Sequence, residues 1–576
     1  MLPYAPPMPS PRDHAPTVAP ARRVRGAAIA TLAILLTTAF TYPIAPRLGS
    51  VGRLDTSDGH WSIWCVAWVS HALATDPAGL FDANIFAPHK DTLAYSENNI
   101  VAGVLGLPAT LATGNPYATH NLSMLLGIGL AFVAGYLLAR YLTGDTGAAI
   151  VAAIGFAFCP YLFARTAHIQ LMLFFGLPLV LLAIHRLVDA PSLVRGAWLG
   201  LMLAVQALAC GYYGIFAGLL SALALPFFAL TRGRWREGRF WASGVFAAAV
   251  AIGVVVPFFL PYVRVQGEVG FTRSVEEAAF YSADARAWLA SSAWAHRWML
   301  PLLGHWNEVL FPGALTLVGG LVGAVLAWRA AGPATTAPDA AGAARPRRDV
   351  LAFYALSGGL AFWTSFGPAA GLYRVLFATI PVFSFLRAPS RFAIVTVLAL
   401  SVCFASGLAV AWARLPPRRR AWAAAGLSLL MCAELFTGPL SVREAPPVTS
   451  AYRHLATLPR GAVLELPFFY ERSDYPRHAR YMSASGWHWQ PLINGYSDHI
   501  PTEFRELAPR MHGFPSAPSF VELRNRGARY VVIHLDLYGR RDRERLLERL
   551  AAYRAYLTLL NDDGDVRLYE ITTWPH

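Results

Sequence analysis

The chain has 576 residues, of which 55% are hydrophobic and 14% are charged. Soluble globular proteins carry about 25% charged residues, so this composition excludes an ordinary soluble protein. The net charge of +14 does not indicate nucleic-acid binding, because the arginines stand in short clusters between apolar runs, as in the loops that orient membrane proteins. No nucleic-acid-binding motif occurs. We therefore predict a multi-pass membrane protein.

The N-terminal segment 1–21 is rich in proline and alanine and is predicted to be a disordered cytoplasmic tail. The apolar run that follows it is too long for a cleaved signal peptide and is predicted to be an uncleaved first span. About eleven runs are predicted as spanning helices, which need roughly 17–25 residues. They lie near residues 27–45, 118–140, 147–163, 170–187, 196–211, 213–231, 240–263, 312–329, 350–366, 392–412 and 421–437.

The arginine clusters indicate the orientation of these spans. Segment 99–114 is short and contains glycine and proline, so we predict an interfacial or re-entrant helix there and not a span. Every arginine cluster then falls on one side, which the positive-inside bias makes cytoplasmic. The expected location is a bacterial inner (cytoplasmic) membrane, with the N-terminus inside and the C-terminus outside. Four large segments lie outside: 46–117, 264–311, 367–391 and the tail from 438.

The predicted fold class is mostly α: a polytopic helical bundle over residues 22–437, followed by a small extracytoplasmic α/β domain over 438–576. In the tail, GAVLELPFF and ARYVVIHLDL have the composition of buried strands, and DVRLYEI of a closing strand. The stretch DRERLLERLAAYRAYL places four apolar side chains on one helical face, namely Leu546, Leu550, Tyr553 and Leu557. Within the bundle, segment 332–348 is a flexible linker by composition.

Five cysteines lie in or beside apolar segments. Their spacing fits neither a disulfide framework nor a metal site, and they are therefore predicted to be small core residues. They are Cys65, Cys159, Cys210, Cys403 and Cys432.

Two aspartates stand ahead of a tryptophan-rich stretch in GRLDTSDGHWSIWCVAWVSHAL. A carboxylate at the centre of a spanning helix costs about 2.5–3.5 kcal/mol, so Asp55 and Asp58 are expected outside the hydrocarbon. Trp61, Trp64 and Trp68 recur at helical spacing and predict an amphipathic helix in the membrane interface. That helix would hold the carboxylates at the height of the lipid headgroups. Alternatively, either aspartate caps the helix, which does not exclude catalysis.

Cationic and polar side chains follow on the same predicted side. In FCPYLFARTAHIQLM, Arg165, His168 and Gln170 lie at the outer end of a span, where a cation and an imidazole could bind a phosphate. The alternative for Arg165 is a snorkelling interfacial arginine. In FLRAPSRF, Arg387 and Arg391 could clamp a phosphate or anchor to lipid headgroups.

Several aromatic and amide side chains of the outer segments could contact a sugar or an acceptor: Tyr95, Tyr161, Trp487, Asn494 and Tyr496. The last three belong to WHWQPLINGYSDHIP, which could equally pack against the membrane module. Glu97 precedes segment 99–114, where it could simply be a helix-start carboxylate. No phosphate-binding loop, serine-hydrolase elbow or zinc-protease motif stands out.

The order of these motifs resembles the GT-C superfamily of polytopic glycosyltransferases, which includes the protein O-mannosyltransferases and the aminoarabinose transferases. The similarity is strongest to a bacterial branch of GT-C-like membrane proteins. The residues that carry it are Asp58-Gly59 before IWCVAW, LFDANIFAPHKDTLAYSE, CPYLFARTAHIQ, LRAPSRF and NGYS. Each motif alone is weak, but their order extends over most of residues 27–576.

The resemblance implies a polyprenyl-phosphate-linked sugar as donor, a glycan, lipid or protein as acceptor, and inversion at the anomeric carbon. The first-loop acid acts as general base on the acceptor, which assigns this role to Asp58 with Asp55 in reserve. Related proteins place another acid near the position of His168, where this chain has none, and we infer that Glu97 could supply it. No cofactor is expected, and a divalent metal is not favoured, because a monophosphate donor needs none.

Two other functions stay open at this point. One is a transporter or flippase of the cell-envelope glycan pathway, although the spans are nearly free of the aspartate, glutamate and lysine that such a protein would use. The other is a non-catalytic assembly or anchoring protein whose tail binds a partner.

Overall fold

The computed structural model describes residues 18–269, 274–331 and 347–575. Most of the predicted N-terminal tail 1–21 and of the predicted linker 332–348 lies outside the described residues. The described part is mostly helical, with a small sheet near the C-terminus. This agrees with the predicted fold class.

The helices before residue 190 include four of the predicted spans as continuous or broken elements. They are α1 (Val18–Phe40), α2 (Ser57–Thr75), α3 (Ile100–Thr113), α4 (Pro116–Thr143), α5 (Thr146–Ala157), α6 (Pro160–Phe163), α7 (Ile169–Met172) and α8 (Gly176–Asp189). The span predicted over 170–187 is interrupted between α7 and α8, and α3 has only 14 residues. Such a length agrees with the prediction that segment 99–114 is not a full span.

The second half of the bundle contains both long apolar helices and short connecting helices. They are α9 (Leu193–Ala209), α10 (Gly211–Thr231), α11 (Gly238–Val269), α12 (Val275–Phe280), α13 (Leu300–Leu303), α14 (Ala314–Ala330), α15 (Arg348–Ser365), α16 (Leu372–Thr379), α17 (Ala393–Trp412) and α18 (Pro417–Leu435). Within the described residues, 5 helices are long and apolar enough to cross a membrane. The protein is therefore a multi-pass membrane protein, and the crossing of the remaining predicted spans stays a prediction.

The C-terminal unit, residues 438–575, is an α/β structure. It contains α19 (Ser450–Leu455), α20 (Ala479–Ser485), α21 (Thr502–His512), α22 (Ala517–Asn525) and α23 (Arg540–Ala552). Its strands are β2 (Arg443–Glu444), β3 (Ala462–Leu466), β4 (Ala528–His534), β5 (Leu557–Asp562) and β6 (Val566–Ile571), and β1 (Val51–Gly52) precedes them in the chain. The main sheet has the order β3-β4-β6-β5, in which only the β3–β4 pair is parallel.

The strands predicted in the tail are confirmed, and the predicted helix is shorter than expected. Leu546 and Leu550 are buried on α23, as their spacing indicated. The helix ends at Ala552, however, and Leu557 is the first residue of β5. Periodicity alone cannot mark this end, because the apolar residues of the helix continue into those of the strand.

The tryptophans of α2 are buried inside the protein. Trp61, Trp64 and Trp68 are 8%, 1% and 6% exposed. The indole N–H of Trp64 donates to the Asn84 side-chain oxygen at 2.9 Å, and that of Trp68 donates to the Leu80 carbonyl at 2.9 Å. The prediction of an amphipathic helix lying in the lipid interface is therefore wrong. Instead, α2 packs between α3, α4 and α20.

The segments predicted outside the membrane meet at one end of the helices. β1 pairs with β2 in an antiparallel arrangement, with Val51 opposite Glu444. One hydrophobic cluster contains Trp64 and Ile85 of the first loop together with Leu464 and Val532 of the C-terminal sheet. We call the end formed by segment 46–117, the loops 274–313 and 366–392, and the C-terminal unit the loop face.

Arginines predicted on the inner side pair with carboxylates at the opposite helix ends. The Arg232 guanidinium contacts Asp189 at 2.5 Å and Asp349 at 2.6 Å, and Arg420 contacts Asp145 at 3.3 Å. These pairs connect α5, α8, α10, α15 and α18 on the side away from the loop face. The separation of the arginine clusters from the loop face is the arrangement that the predicted orientation requires.

The five cysteines are free thiols in the structure. Cys65, Cys159, Cys210 and Cys403 are buried, and Cys432 is partly buried. Their prediction as small core residues agrees with these positions.

Candidate functional site

Asp58 lies in the first turn of α2 on the loop face. The cap of this helix is Thr56, whose hydroxyl accepts a hydrogen bond from the Gly59 N–H at 3.1 Å. The alternative that an aspartate caps the helix is therefore not what the structure shows. The Asp58 side chain is 51% exposed and lies 3.3 Å from Nε2 of His168. Its carboxylate is held at the surface by a helix start, which also favours a negative charge there.

The turn that carries His168 is fixed against α2. The backbone N–H of Ile169, the residue after His168, donates to the Ser62 hydroxyl at 3.1 Å. The hydrogen bond from His168 lowers the pKa of Asp58 below its ordinary value of 3.8, burial opposes this shift, and the charges of His168 and Arg387 support it. Asp58 is consequently ionised at neutral pH, as a proton acceptor must be.

Asp55 is engaged differently from Asp58. Its carboxylate pairs with the Arg53 guanidinium at 2.9 Å, and Arg53 also donates to the Thr166 hydroxyl. The hydrogen bond from Arg53 lowers the pKa of Asp55. Asp55 therefore connects the start of α2 to the loop between α6 and α7, and this pairing favours Asp58 over Asp55 as the base.

Arg387 connects the loop before α17 to the C-terminal unit. Its guanidinium lies 3.4 Å from the Asp498 carboxylate and 5.2 Å from the centre of the Tyr281 ring. Its backbone N–H donates to the Tyr212 hydroxyl at 3.1 Å. The charge of Arg387 also lowers the pKa of Asp58. A cation and an anion from distant parts of the sequence therefore lie close enough to interact.

A second acid and a second arginine lie deeper at this site. The Arg391 side chain is buried and stacks on Tyr212, with the guanidinium carbon 4.1 Å from the ring centre. Glu97 accepts a hydrogen bond from the Gly211 N–H at 3.1 Å. Burial raises the pKa of Glu97, while the Gly211 hydrogen bond and the charge of Arg391 oppose the shift. Glu97 is therefore a helix-start carboxylate, but for α10 and not for α3.

Tyr496 is the aromatic candidate that lies near Asp58. Burial raises the pKa of Tyr496 to about 12, and the nearby charges of Asp58 and Asp498 add to the shift. Its phenol consequently stays protonated at neutral pH. A protonated phenol at this place can donate a hydrogen bond to a sugar or phosphate oxygen.

Three predicted site residues have structural roles instead. Arg165 is buried, pairs with Glu308 and donates to the Tyr161 and Val309 carbonyls at 3.0 and 3.1 Å. Tyr161 is 0% exposed and lies under the Arg165 guanidinium. Asn494 is also 0% exposed, and its amide binds the backbone N–H and carbonyl of a β3 residue. The predictions that Arg165 binds the donor phosphate and that Tyr161 and Asn494 contact a sugar are corrected accordingly.

The remaining candidates lie near the site without a defined contact to Asp58. Tyr95 is buried, and its ring packs edge-on against His499 with centres 5.0 Å apart. Gln170 is buried in α7, two residues after His168. Trp487 is partly buried after α20. Their assignments to phosphate or acceptor binding stay predictions.

Sequence reasoning missed Asp498, Tyr212 and Tyr281. Asp498 follows directly on the NGYS motif, which could have drawn attention to it. The two tyrosines belong to apolar and loop segments with no distinguishing pattern. Their proximity to Arg387 depends on tertiary packing between residues more than 100 positions apart.

The candidate site is a polar cluster in which the Asp58 and Arg387 side chains are partly exposed. Two open grooves lie elsewhere: one of about 470 Å³ is apolar and includes Tyr42 and Phe436, and one of about 450 Å³ includes Asp82 and Arg264. Among the described residues, no group of three or more histidine, cysteine, aspartate or glutamate side chains could hold a metal ion. Asp55, Asp58 and Glu97 are therefore not brought together as a three-carboxylate set.

We expect His168→Gln to move the acid limb of the pH–rate profile to higher pH. A general base acts only as the carboxylate, so the rate falls as the pH drops through the pKa of Asp58. With His168 in place, this pKa lies below 3.8. Glutamine can still donate a hydrogen bond but carries no positive charge, so the effect of burial is opposed less and the pKa of Asp58 rises. Initial transfer rates measured against pH test this expectation.

The control for this change is His71→Gln. His71 is also on α2, but its ring stacks on Trp489 with centres 4.3 Å apart. This variant should keep the acid limb of the wild type whatever its maximal rate. An acid limb that does not move in His168→Gln would contradict the role given to His168.

Comparisons with known proteins give only distant similarities. No protein-family model matches the chain, and no curated protein sequence matches it. A crystal structure of the Archaeoglobus fulgidus oligosaccharyltransferase in the apo form is similar with a TM-score of 0.45 and 15% identity, over 95% of this chain and 74% of that chain. Structures of ArnT from Cupriavidus metallidurans, in the apo state and bound to undecaprenyl phosphate, are similar with a TM-score of 0.39 and 14% identity, over 96% of this chain and 98% of theirs.

The proteins found in this way are GT-C glycosyltransferases, the superfamily that the sequence motifs resemble. The identities are below 25% and the TM-scores below 0.5. The function of this chain has to be argued from its own residues.

Proposed function

We propose that the protein is a membrane glycosyltransferase that moves a sugar from a polyprenyl-phosphate carrier to an acceptor hydroxyl. The observation that carries this proposal is the half-exposed Asp58 carboxylate, which is paired with His168 and faces Arg387 on the loop face. The order of the motifs in the sequence supports the same reaction.

The proposed base is Asp58. It takes the proton of the acceptor hydroxyl as the acceptor oxygen forms a bond to the anomeric carbon. The bond from that carbon to the phosphate oxygen breaks on the opposite face, so that the configuration inverts and polyprenyl phosphate leaves. A positioned base contributes about 10²–10⁴-fold to such a step. His168 keeps Asp58 ionised and oriented.

The leaving phosphate needs positive charge where its own negative charge develops. The Arg387 side chain is 26% exposed, whereas that of Arg391 is buried. Arg391 lies deeper, stacks on the Tyr212 ring and adds a second positive charge to the cluster. Guanidinium groups can stabilise a monophosphate, so the proposal includes no metal ion.

The proposed acceptor side is formed by aromatic residues of the C-terminal unit. Tyr496 lies next to Asp58 and stays a hydrogen-bond donor at neutral pH, and Trp487 follows α20 nearby in the chain. The acceptor is a glycan, a lipid or a protein. We place the loop face outside a bacterial inner membrane, because the arginine clusters gather at the other helix ends.

The test is a transfer assay with the purified chain in lipid vesicles. A panel of undecaprenyl-phosphate-linked monosaccharides is supplied with an envelope extract as acceptor, and released undecaprenyl phosphate is measured by mass spectrometry. Release that depends on both the protein and the acceptor is expected for at least one donor. Movement of the carrier across the bilayer without release would show a flippase, and activity of the isolated tail in an assembly assay would show an anchoring protein.

A further inference from the structure

Asp498 joins the C-terminal unit to two other parts of the loop face. One carboxylate oxygen lies 3.4 Å from the Arg387 guanidinium, and the other accepts a hydrogen bond from the Ser96 hydroxyl at 2.6 Å. The next residue, His499, donates its backbone N–H to the Tyr95 carbonyl at 3.1 Å. Three segments that are far apart in sequence therefore meet at this one side chain.

Ser96 is itself a fixed anchor. Its backbone carbonyl accepts a hydrogen bond from the Tyr262 hydroxyl at 2.6 Å, which ties the loop before α3 to α11. Asp498 is thereby held from the bundle side, and the carboxylate has a defined direction toward Arg387. A long arginine side chain loses much rotamer freedom when it is ordered, and contacts that order it beforehand remove that cost from ligand binding.

The orientation of the Arg387 guanidinium affects the distribution of charge at the site. Tyr281 lies over this group, and the Tyr212 hydroxyl accepts a hydrogen bond from the Arg387 backbone N–H. A guanidinium has five N–H donors, and the contact of one nitrogen with Asp498, together with the Tyr281 ring over the group, restricts its orientation. Arg387 also contributes to the electrostatics of both Asp58 and Glu97, so its orientation determines where the positive charge of the cluster lies.

We propose that Asp498 is a positioning residue that orients Arg387 toward the phosphate of the lipid-linked donor, so that the C-terminal unit completes the donor site. This inference rests on the proposed function for the identity of the donor. Asp498 acts through Arg387 and does not itself touch the reacting atoms.

The test compares Asp498→Ala with a matched control. Asp562→Ala removes another aspartate of the C-terminal unit, which pairs with Arg567 at 2.9 Å and is 33% exposed, against 34% for Asp498. We expect Asp498→Ala to raise the KM for the donor about tenfold, the effect of losing one charge-assisted hydrogen bond, with a smaller change in kcat. Asp562→Ala should leave both constants unchanged. Asp498→Asn, which keeps an oxygen acceptor, should restore part of the loss.

A double-mutant cycle separates positioning from a general structural effect. If Asp498 acts through Arg387, Asp498→Ala should have no further effect on the KM in an Arg387→Ala background. Additive effects of the two substitutions would overturn the proposal. So would a wild-type KM in Asp498→Ala.

Binding of undecaprenyl phosphate, without a sugar, separates this proposal from the proposed function. If no donor supports transfer but Asp498→Ala weakens this binding only when Arg387 is present, the transferase function fails and the positioning role stands. If the wild type and Asp498→Ala bind undecaprenyl phosphate equally, or if neither binds it, the positioning role is overturned.

Discussion

Asp58→Asn is expected to lower the rate of sugar transfer by about 10²–10⁴-fold, the usual contribution of a general base. Asparagine has nearly the same shape as aspartate but cannot take a proton at neutral pH. Because the side chain is half exposed and α2 is capped by Thr56, the substitution should leave folding intact. The measurement is the single-turnover rate of undecaprenyl phosphate release, together with the melting temperature of the purified variant.

The matched control is Asp55→Asn, three residues earlier. Asp55 is paired with Arg53, so its substitution should lower the melting temperature of the protein. The transfer rate should stay within a few-fold of the wild-type rate. The reverse result, a silent Asp58→Asn and an inactive Asp55→Asn, would transfer the role of base to Asp55. Full activity in both variants would remove the proposed mechanism altogether.

Gly407→Leu is expected to cause a large loss of stability in the bundle. Gly407 is on α17, where an added Cβ would lie 2.2 Å from the Gly323 Cα and 2.9 Å from the Gly323 carbonyl oxygen of α14. Backbone atoms cannot give way as a side chain can, so the two helices must separate. Overpacking of a core costs about 1–3 kcal/mol, and small residues at such contacts are what allow membrane helices to approach closely.

The control is Gly359→Leu on α15, where an added Cβ meets no atom within 4 Å. It introduces the same side chain into a helix of the same bundle. The melting temperature and the yield of monodisperse protein should fall for Gly407→Leu and stay near the wild type for Gly359→Leu. An equal decrease in both would mean that leucine is unfavourable in these helices for reasons other than the α14–α17 contact.

The elements with strong local signals could be predicted from the sequence. Runs of about 20 apolar residues and the short, largely apolar strands β3 and β4 depend on local composition, which can be recognised without knowledge of the fold. The α2 helix was also recognised by its spacing. The surroundings of α2 could not be predicted, because tryptophans at helical spacing suit a lipid interface and a protein core equally well. The contacts of Trp64 and Trp68 with Asn84 and Leu80 decide for the core.

The candidate arginines could also be named from the sequence but not ranked without the structure. Arg165 and Arg387 each stand in a polar stretch at the end of a span, and their sequence contexts do not distinguish them. In the structure, Arg165 is used by Glu308 and two backbone carbonyls, whereas Arg387 reaches the cluster around Asp58. A cation is available to a ligand only if its neighbours do not already bind it, and two of the three groups that bind Arg165, Glu308 and the Val309 carbonyl, are more than 100 residues away in the sequence.

The sequence by itself determined that this is a multi-pass membrane protein with an α/β tail, whereas the role of Asp58 as base is a proposal that began from the motif resemblance. The spans and the tail both depend on local patterns of polarity along the chain. Only the tertiary structure decided that Asp55 is paired with Arg53, that Glu97 serves the start of α10, and that Asp498 faces Arg387. The contacts of Glu97 with Gly211 and of Asp498 with Arg387 join residues more than 100 positions apart. The packing of the apolar helices brings them together, and no spacing along the chain encodes them.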